Sequence, residues 1–291
     1  MSIYALGSFA IILLNIVLWL LTFAKRQLNQ LAKSYFLWSF FITLWALGYG
    51  ITLSGWLDYS PTYWWNKWCQ AMAAMIAPYF FRLCCVLADE WEPNRRFYKF
   101  YLSFGSVNAL GIFLTSLYVK GLWSFGIFKY QPLGGPLYWL FTLFFYWCTV
   151  HGFVVVFRKY IHIVGEKRNQ LRPFLWWTAL GYSGGATLFW QAFGIPFPSV
   201  GIFPILGYVV ATGYAVHKYN FMDAELVLKK TVVFAGLLSF FTAVVTAFVF
   251  ILPVLLGKEL TRMAQTVWVA VAVSITVLLF HPIENFFVKL T

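Results

Sequence analysis

Charged side chains are scarce in this chain of 291 residues. Asp, Glu, Lys and Arg together make up 10% of its positions, whereas 62% are hydrophobic. An average soluble domain has roughly a quarter of its residues charged. The apolar surface is therefore larger than a soluble core can bury, which excludes an ordinary soluble domain and favours a protein that lies within a lipid bilayer.

The sequence has few acidic residues, histidines and cysteines, and their spacing is not typical of a catalytic or metal-binding site. The nine acidic residues lie almost entirely between apolar blocks, so no buried pair of carboxylates is available for acid–base chemistry. The four histidines show no HExxH spacing, and the sequence has no phosphate-binding loop, GxSxG turn or dinucleotide fingerprint. The four cysteines lack the CxxC spacing of zinc sites. We therefore predict no enzymatic activity, no catalytic residue, no cofactor and no metal site.

The sequence does contain a series of long apolar blocks. They run over residues 3–24, 34–56, 63–88, 98–119, 137–157, 173–193, 199–216, 231–256 and 264–280. A block of about 18 residues can cross the ~30 Å hydrocarbon layer as a helix, which satisfies its own backbone hydrogen bonds. The sequence thus predicts an all-α, polytopic transmembrane bundle of about nine helices. No cleavage site follows the first block, so we expect it to be retained.

Basic residues are concentrated in alternate connections between the blocks. Arg95 with Arg96 and Lys229 with Lys230 belong to the richer set. Basic loops stay in the cytoplasm, so we expect a multi-pass protein of the bacterial inner membrane with its N-terminus outside and its C-terminus inside. The formal charge of +12 forms no basic stripe, which argues against nucleic acid as a partner and leaves the lipid bilayer as the expected one.

Polar and aromatic side chains within the blocks are the candidate ligand-binding residues, because a polar group in a bilayer is costly. Aromatic residues crowd the external connections, where they form either an interfacial belt or the wall of an outward-facing pocket. The candidates for such a pocket are Trp68, Gln70, Trp190, Gln191, Arg82 and His151.

Two of these candidates are ionisable, and each has alternative interpretations. Arg82 lies roughly 10 Å inside the cytoplasmic end of its span. From there it can extend to the membrane surface, contact another helix or anchor an anionic ligand. His151 lies at a similar depth and is either a proton sensor or a hydrogen-bonded packing residue.

Small residues mark two spans as a closely packed pair. Gly181, Gly184 and Gly185 include a GxxxG spacing in the sixth span, and Gly207 and Ala211 give the seventh span a comparable face. Small residues let helix backbones approach closely. We therefore predict that the sixth and seventh spans pack tightly together.

The sequence changes character after the seventh block. We expect a seven-helix bundle over residues 1–218, a cytoplasmic amphipathic connector over 219–230, and a C-terminal transmembrane hairpin with a short tail over 231–291. In the connector, Asp223 can cap a short helix while Lys229 and Lys230 meet anionic headgroups. This connector is either an output segment or an inert link.

Three segments carry a resemblance to a known family: GEKRNQLRPFLWW at 165–177, GIPFPSVGIFPILG at 194–207 and AVHKYNFMDAELVLKK at 215–230. In this order they resemble the seven-helix membrane sensor region at the N-terminus of certain bacterial histidine kinases. The resemblance implies a receptor-like bundle that perceives a membrane or external cue and passes a conformational change down its last helices. The family continues into kinase domains, which we do not find here. No phosphoacceptor can be assigned, since His281 is followed by Pro282, which suits a helix end.

Three functions are compatible with these observations. The first is a non-catalytic sensor that relays a signal to a protein partner, and the second is a structural or accessory subunit of a larger membrane complex. The third is a small-molecule transporter, although the sequence shows no inverted repeat. A sensor predicts a cavity lined by residues such as Trp68, Gln70, Trp190 and Gln191, whereas a structural subunit predicts filled gaps between the helices.

Overall fold

The computed structural model describes residues 2–23 and 29–220, which form seven α-helices and one β-hairpin. The elements are α1 (Ile3–Phe23), α2 (Gln30–Ser54), α3 (Tyr59–Leu87), α4 (Trp91–Leu114), β1 (Val119–Phe125), β2 (Phe128–Gly134), α5 (Tyr138–His162), α6 (Glu166–Ala192), a 3-10 turn (Ser199–Gly201) and α7 (Ile202–Asn220). The prediction of a helical membrane bundle is confirmed in this general form.

The predicted nine-helix count stays a prediction. The apolar blocks at 231–256 and 264–280 lie outside the described residues. The predicted output residues Asp223, Lys229 and Lys230 lie outside them as well.

Four of the helices are long and apolar enough to cross a membrane. They are α1, α2, α3 and α5, whose most apolar windows have mean hydropathies of 2.3, 1.6, 1.5 and 1.9. The other three helices are longer or more polar than their apolar blocks suggest. α4, for instance, begins at Trp91 and includes Arg95, Arg96 and Lys99 in its first turns.

Helix α3 lies at the centre of the bundle and contacts α2, α4 and α5. Its middle section is largely buried, with Phe80 and Phe81 at 0% exposure. The ring of Phe80 stacks on Phe174 of α6 with centroids 6.3 Å apart, and the ring of Phe81 meets Tyr101 of α4 edge-on at 5.0 Å. These aromatic contacts make α3 the helix against which the others pack.

A β-hairpin follows α4, where the sequence predicts the end of the fourth span and an aromatic external loop. The predicted span boundary at residue 119 is wrong, because α4 ends at Leu114 and Val119 begins β1. The two strands pair antiparallel and turn at Gly126, whose φ of 53° suits a residue without a side chain.

Hydrogen bonds and ring contacts join the hairpin to the helices. Tyr63 of α3 donates a hydrogen bond from its hydroxyl to the carbonyl oxygen of Val119 at 2.8 Å. Trp123 donates from Nε1 to the carbonyl oxygen of Gln191 at 2.9 Å, and the ring of Phe128 lies 5.2 Å from that of Tyr4. The hairpin therefore covers one end of the bundle by contacting α1, α3 and α6.

Candidate functional site

A cavity of about 80 Å³ lies inside the bundle beneath the hairpin. Helices α2, α3, α5, α6 and α7 all contribute to its wall, and Pro132 of β2 adds to it. Its aromatic lining consists of Trp45, Tyr49, Tyr138, Phe145, Tyr182, Phe189 and Tyr208. No Asp, Glu, Lys, Arg or His is among the described residues that line it. The cavity is therefore apolar and uncharged, with hydroxyl and amide groups as its polar atoms.

Gln70 is the amide side chain in this wall. It lies on α3, is 7% exposed, and accepts a hydrogen bond at Oε1 from the hydroxyl of Tyr138 at 2.9 Å. The bond joins α3 to the first turn of α5. An amide in a protein interior is stable only when it is hydrogen-bonded, so Tyr138 fixes the orientation of Gln70.

Gln191 lies beside the cavity, where its side chain forms hydrogen bonds with the segment that leads into α7. Its Nε2 donates to the carbonyl oxygen of Phe197 at 2.8 Å and to Oγ of Ser199 at 2.9 Å. The hydroxyl of Tyr49, which lines the cavity, lies 2.9 Å from Oγ of Ser199 and 3.3 Å from Oε1 of Gln191. One buried side chain thus joins α2, the end of α6 and the turn that leads into α7.

The small residues of α6 bring α7 against the cavity. A Cβ atom built on Gly181 would overlap Tyr208, and one on Gly184 would lie 2.8 Å from Cβ of Pro204. Gly185 is less restricted, because its nearest neighbour, Cδ1 of Ile205, would lie at 3.6 Å. The close approach at Gly181 places the ring of Tyr208 in the cavity wall.

Two further small residues lie on α7. A Cβ atom on Gly207 would lie 2.8 Å from Cζ3 of Trp177 of α6, and Ala211 is buried at 8% exposure. α6 and α7 therefore approach closely from both sides.

Trp68 and Trp190, which the sequence analysis places in the cavity wall, lie elsewhere. Trp68 donates from Nε1 to the carbonyl oxygen of Leu44 at 3.3 Å and so joins α3 to α2. Trp190 is 42% exposed, and its ring packs on Phe197 with centroids 5.0 Å apart. Neither tryptophan contributes to the lining.

Arg82 makes an interhelical contact outside the cavity. Its guanidinium carbon lies 5.3 Å from the ring centre of Trp91 and 5.6 Å from that of Tyr98, both on α4. Cations are attracted to the faces of aromatic rings at such distances. Of the three interpretations open from the sequence, the contact with a neighbouring helix is the one that this geometry supports.

His151 is part of a second small network between α4 and α5. Its Nδ1 lies 2.8 Å from the hydroxyl oxygen of Tyr101, and that oxygen also accepts a hydrogen bond from Nε1 of Trp147 at 3.1 Å. The ring of Phe81 packs on His151 at 4.8 Å, so this histidine belongs to the packing between helices.

Burial also extends to the base of the hairpin. Tyr118, just before β1, is 6% exposed, and burial raises the pKa of its phenol. Its carbonyl oxygen accepts a hydrogen bond from the backbone N–H of Gly135 at 2.7 Å. The base of the hairpin is therefore held by a buried tyrosine and a backbone hydrogen bond, and it is not a loop surrounded by solvent.

Tyr49, Tyr182 and Tyr208 are cavity residues that sequence reasoning misses, whereas Tyr138 belongs to the aromatic group at an external connection that is either an interfacial belt or a pocket wall. Tyr49, Tyr138, Tyr182 and Tyr208 come from four different helices, and each resembles an ordinary interfacial tyrosine in the sequence. The glycine pattern of α6 is the signal that could have found Tyr208, because a glycine leaves room for a larger side chain of the helix that packs against it.

Comparison with known proteins assigns the family. Residues 5–225 match the model of one protein family, described as the N-terminal 7TM region of histidine kinase. This match confirms the resemblance seen in the three sequence segments and marks the chain as a membrane protein with a sensory module. No curated protein and no solved structure matches it. Because the match covers well over half of the 291 residues, the chain belongs to the family of N-terminal 7TM regions of histidine kinases.

Proposed function

We propose that the chain is a multi-pass sensor of the bacterial inner membrane that perceives a cue in the cavity and relays it, without catalysis, to a protein partner. The family assignment supports the sensory role. The observation that carries the rest is that α7, the last helix of the matched region, forms part of the cavity wall through Ile205 and Tyr208. A molecule in the cavity thus contacts the helix that leads to the remainder of the chain.

The relay depends on how Tyr208 is held. Its ring lies 5.0 Å from that of Trp38 and 5.4 Å from that of Tyr182, and its Cβ and adjoining ring atoms lie against Gly181. A close-packed interface responds to an added group by repacking, since it has little free volume. Occupation of the cavity therefore favours a different position of α7 relative to α6, and the two positions differ in their affinity for the ligand.

The proposed orientation has support at both ends of the bundle. Asp89, between α3 and α4, lies 3.3 Å from Nζ of Lys167 at the start of α6, which brings two of the basic connections together. The hairpin and the Gln191 network lie at the opposite ends of these helices. We assign the Asp89 end to the cytoplasm and the hairpin end to the outside.

The output belongs to the last residues of α7 and to those beyond the described part of the chain. We assign it to the connector over 219–230, in which Lys229 and Lys230 face the anionic headgroups of the inner leaflet. The proposed C-terminal hairpin over 231–291 then returns the chain to the cytoplasm for contact with the partner.

Gene deletion and charge reversal test this function in native cells. Deletion is expected to alter the transcription of a set of genes, which the wild-type chain restores and the Lys229→Glu/Lys230→Glu variant fails to restore at equal abundance in the membrane. Lys120→Glu/Lys129→Glu, at the exposed strand positions of the hairpin, is the control and is expected to restore it. Unchanged transcription after deletion, together with stoichiometric recovery in a larger membrane complex, would support an accessory subunit instead.

A further inference from the structure

The lining of the cavity identifies the chemical class of its ligand. Resting on the sensory function proposed above, we propose that the cavity binds an uncharged small molecule with an aromatic or similarly flat apolar body and one neutral polar group, which hydrogen-bonds to Gln70. Three features of the wall carry this inference: its lack of charge, the unused hydrogen-bonding capacity of Gln70, and its paired aromatic rings.

The first feature is the absence of a counter-ion. The helix that supplies Gln70 carries two cations, Lys67 and Arg82, and neither lines the cavity. Nζ of Lys67 lies 5.4 Å and 5.0 Å from the ring centres of Tyr63 and Trp64, so this cation is already engaged with rings of its own helix. A charged ligand would lose its hydration on entry without gaining an opposite charge, which is strongly unfavourable. A neutral ligand avoids this cost.

The second feature is the amide of Gln70. The residue is 7% exposed, and the hydroxyl of Tyr138 donates one hydrogen bond to Oε1. Its NH₂ group donates no hydrogen bond to the residues that the structure describes. An amide retains two donor hydrogens and further acceptor capacity in this state. A hydroxyl or carbonyl group of a ligand therefore finds a fixed hydrogen-bonding partner in an otherwise apolar wall.

The third feature is the arrangement of the rings. Trp45 and Tyr49 stack at 5.3 Å with planes 14° apart, and both line the cavity from α2. Phe145 and Phe189 meet at 5.1 Å on another side of the cavity. Flat rings pack favourably against such surfaces.

The size of the cavity couples binding to movement. A volume of about 80 Å³ is smaller than the roughly 150 Å³ that an engineered protein cavity uses to hold a benzene molecule. A ring-sized ligand that is fully enclosed by the helices therefore displaces part of the wall. Tyr208 and Ile205 are the lining residues from α7, and their displacement moves the helix that leads to the proposed output connector.

Photolabelling of the full chain in lipid nanodiscs tests the ligand class. The probe is a benzyl alcohol that carries a trifluoromethyl diazirine, and the charged comparison is the corresponding benzoate. The alcohol is expected to label cavity residues such as Trp45 and Tyr182 saturably, with at least about tenfold stronger labelling than the benzoate. Equal cavity labelling by both probes, or labelling confined to lipid-facing residues such as Trp147, would overturn the proposal.

Two variants separate cavity binding from partition into lipid. Ala73→Leu fills the cavity, and Gln70→Leu keeps its approximate volume but removes the amide. Both are expected to reduce saturable labelling by the alcohol several-fold, whereas Ala10→Leu on the exposed face of α1 leaves it unchanged. Unchanged labelling in Gln70→Leu would remove the polar contact from the proposal even if Ala73→Leu does not fold. Labelling is independent of transcription, so loss of the sensory function alone would leave this result intact.

Discussion

Gly181 of α6 lies directly against Tyr208 of α7, with no room between them for a methyl group. One turn further along α6, Gly185 faces Ile205 with ordinary van der Waals space for a Cβ atom, at 3.6 Å. The two glycines therefore offer a matched pair on the same helix. Both line the cavity, but only Gly181 determines how closely α7 approaches.

Gly181→Ala is expected to destabilise the bundle by about 1–3 kcal/mol, because overpacking forces the helices apart. Gly185→Ala is expected to change the free energy of unfolding by less than about 1 kcal/mol, since alanine also favours the helix. Thermal unfolding in detergent measures both effects. All four cysteines are buried, so a thiol-reactive dye reports unfolding. Equal melting temperatures for the two variants would contradict the close approach.

The hydrogen bond between Tyr138 and Gln70 should appear as a coupling energy. Tyr138→Phe leaves Oε1 of Gln70 without its partner, and we expect a loss of about 1 kcal/mol of stability. In the double-mutant cycle with Gln70→Leu, the two losses should be non-additive by a similar amount, roughly 0.5–1.5 kcal/mol. Strictly additive losses would show that the two side chains do not interact.

Gln191 is expected to contribute to the stability of the bundle through its buried hydrogen bonds. Gln191→Ala removes the bonds to Phe197 and Ser199 and leaves buried polar groups unpaired, so we expect the free energy of unfolding to fall by about 1–3 kcal/mol.

Trp190 is 42% exposed and lies outside the cavity. Trp190→Ala should therefore leave photolabelling of the cavity unchanged. Reduced labelling in Trp190→Ala would show that this tryptophan belongs to the binding site.

Introduced cysteines test the proposed orientation. Lys129 of the hairpin and Lys99 of α4 are both exposed, whereas the native cysteines are buried. In intact spheroplasts, a membrane-impermeant maleimide should modify Lys129→Cys readily, but Lys99→Cys only after permeabilisation. The wild-type chain serves as the unlabelled control. The reverse pattern would invert the topology.

The helices of the bundle could be predicted because their apolar blocks exceed the thickness of a bilayer. The ends of the helices are harder to predict, since α4 and α6 begin among charged residues such as Arg95 and Lys167 that hydropathy assigns to loops. The hairpin was missed for a related reason. Its strands are seven residues each, and their hydrophobic residues continue the apolar run after α4, so they resemble the end of a span.

Part of the cavity could be foreseen from sequence and part could not. Gln70 stood out because an amide within an apolar block is costly unless it has a partner. Tyr49 and Tyr208 did not stand out, because tyrosine is common near membrane surfaces. Their shared position depends on contacts between helices that are distant in the sequence, and no local pattern encodes those contacts.

The central claim is that the cue is perceived in the cavity between α3 and α7. Its most direct test compares Ala73→Leu, which fills the cavity, with Ala10→Leu on the exposed face of α1. Transcription of the genes that depend on the chain is measured in native cells across growth conditions, at equal membrane abundance. We expect Ala73→Leu to hold transcription at one fixed level while Ala10→Leu responds as the wild type does. A normal response from Ala73→Leu, with photolabelling of its cavity abolished, would contradict the account.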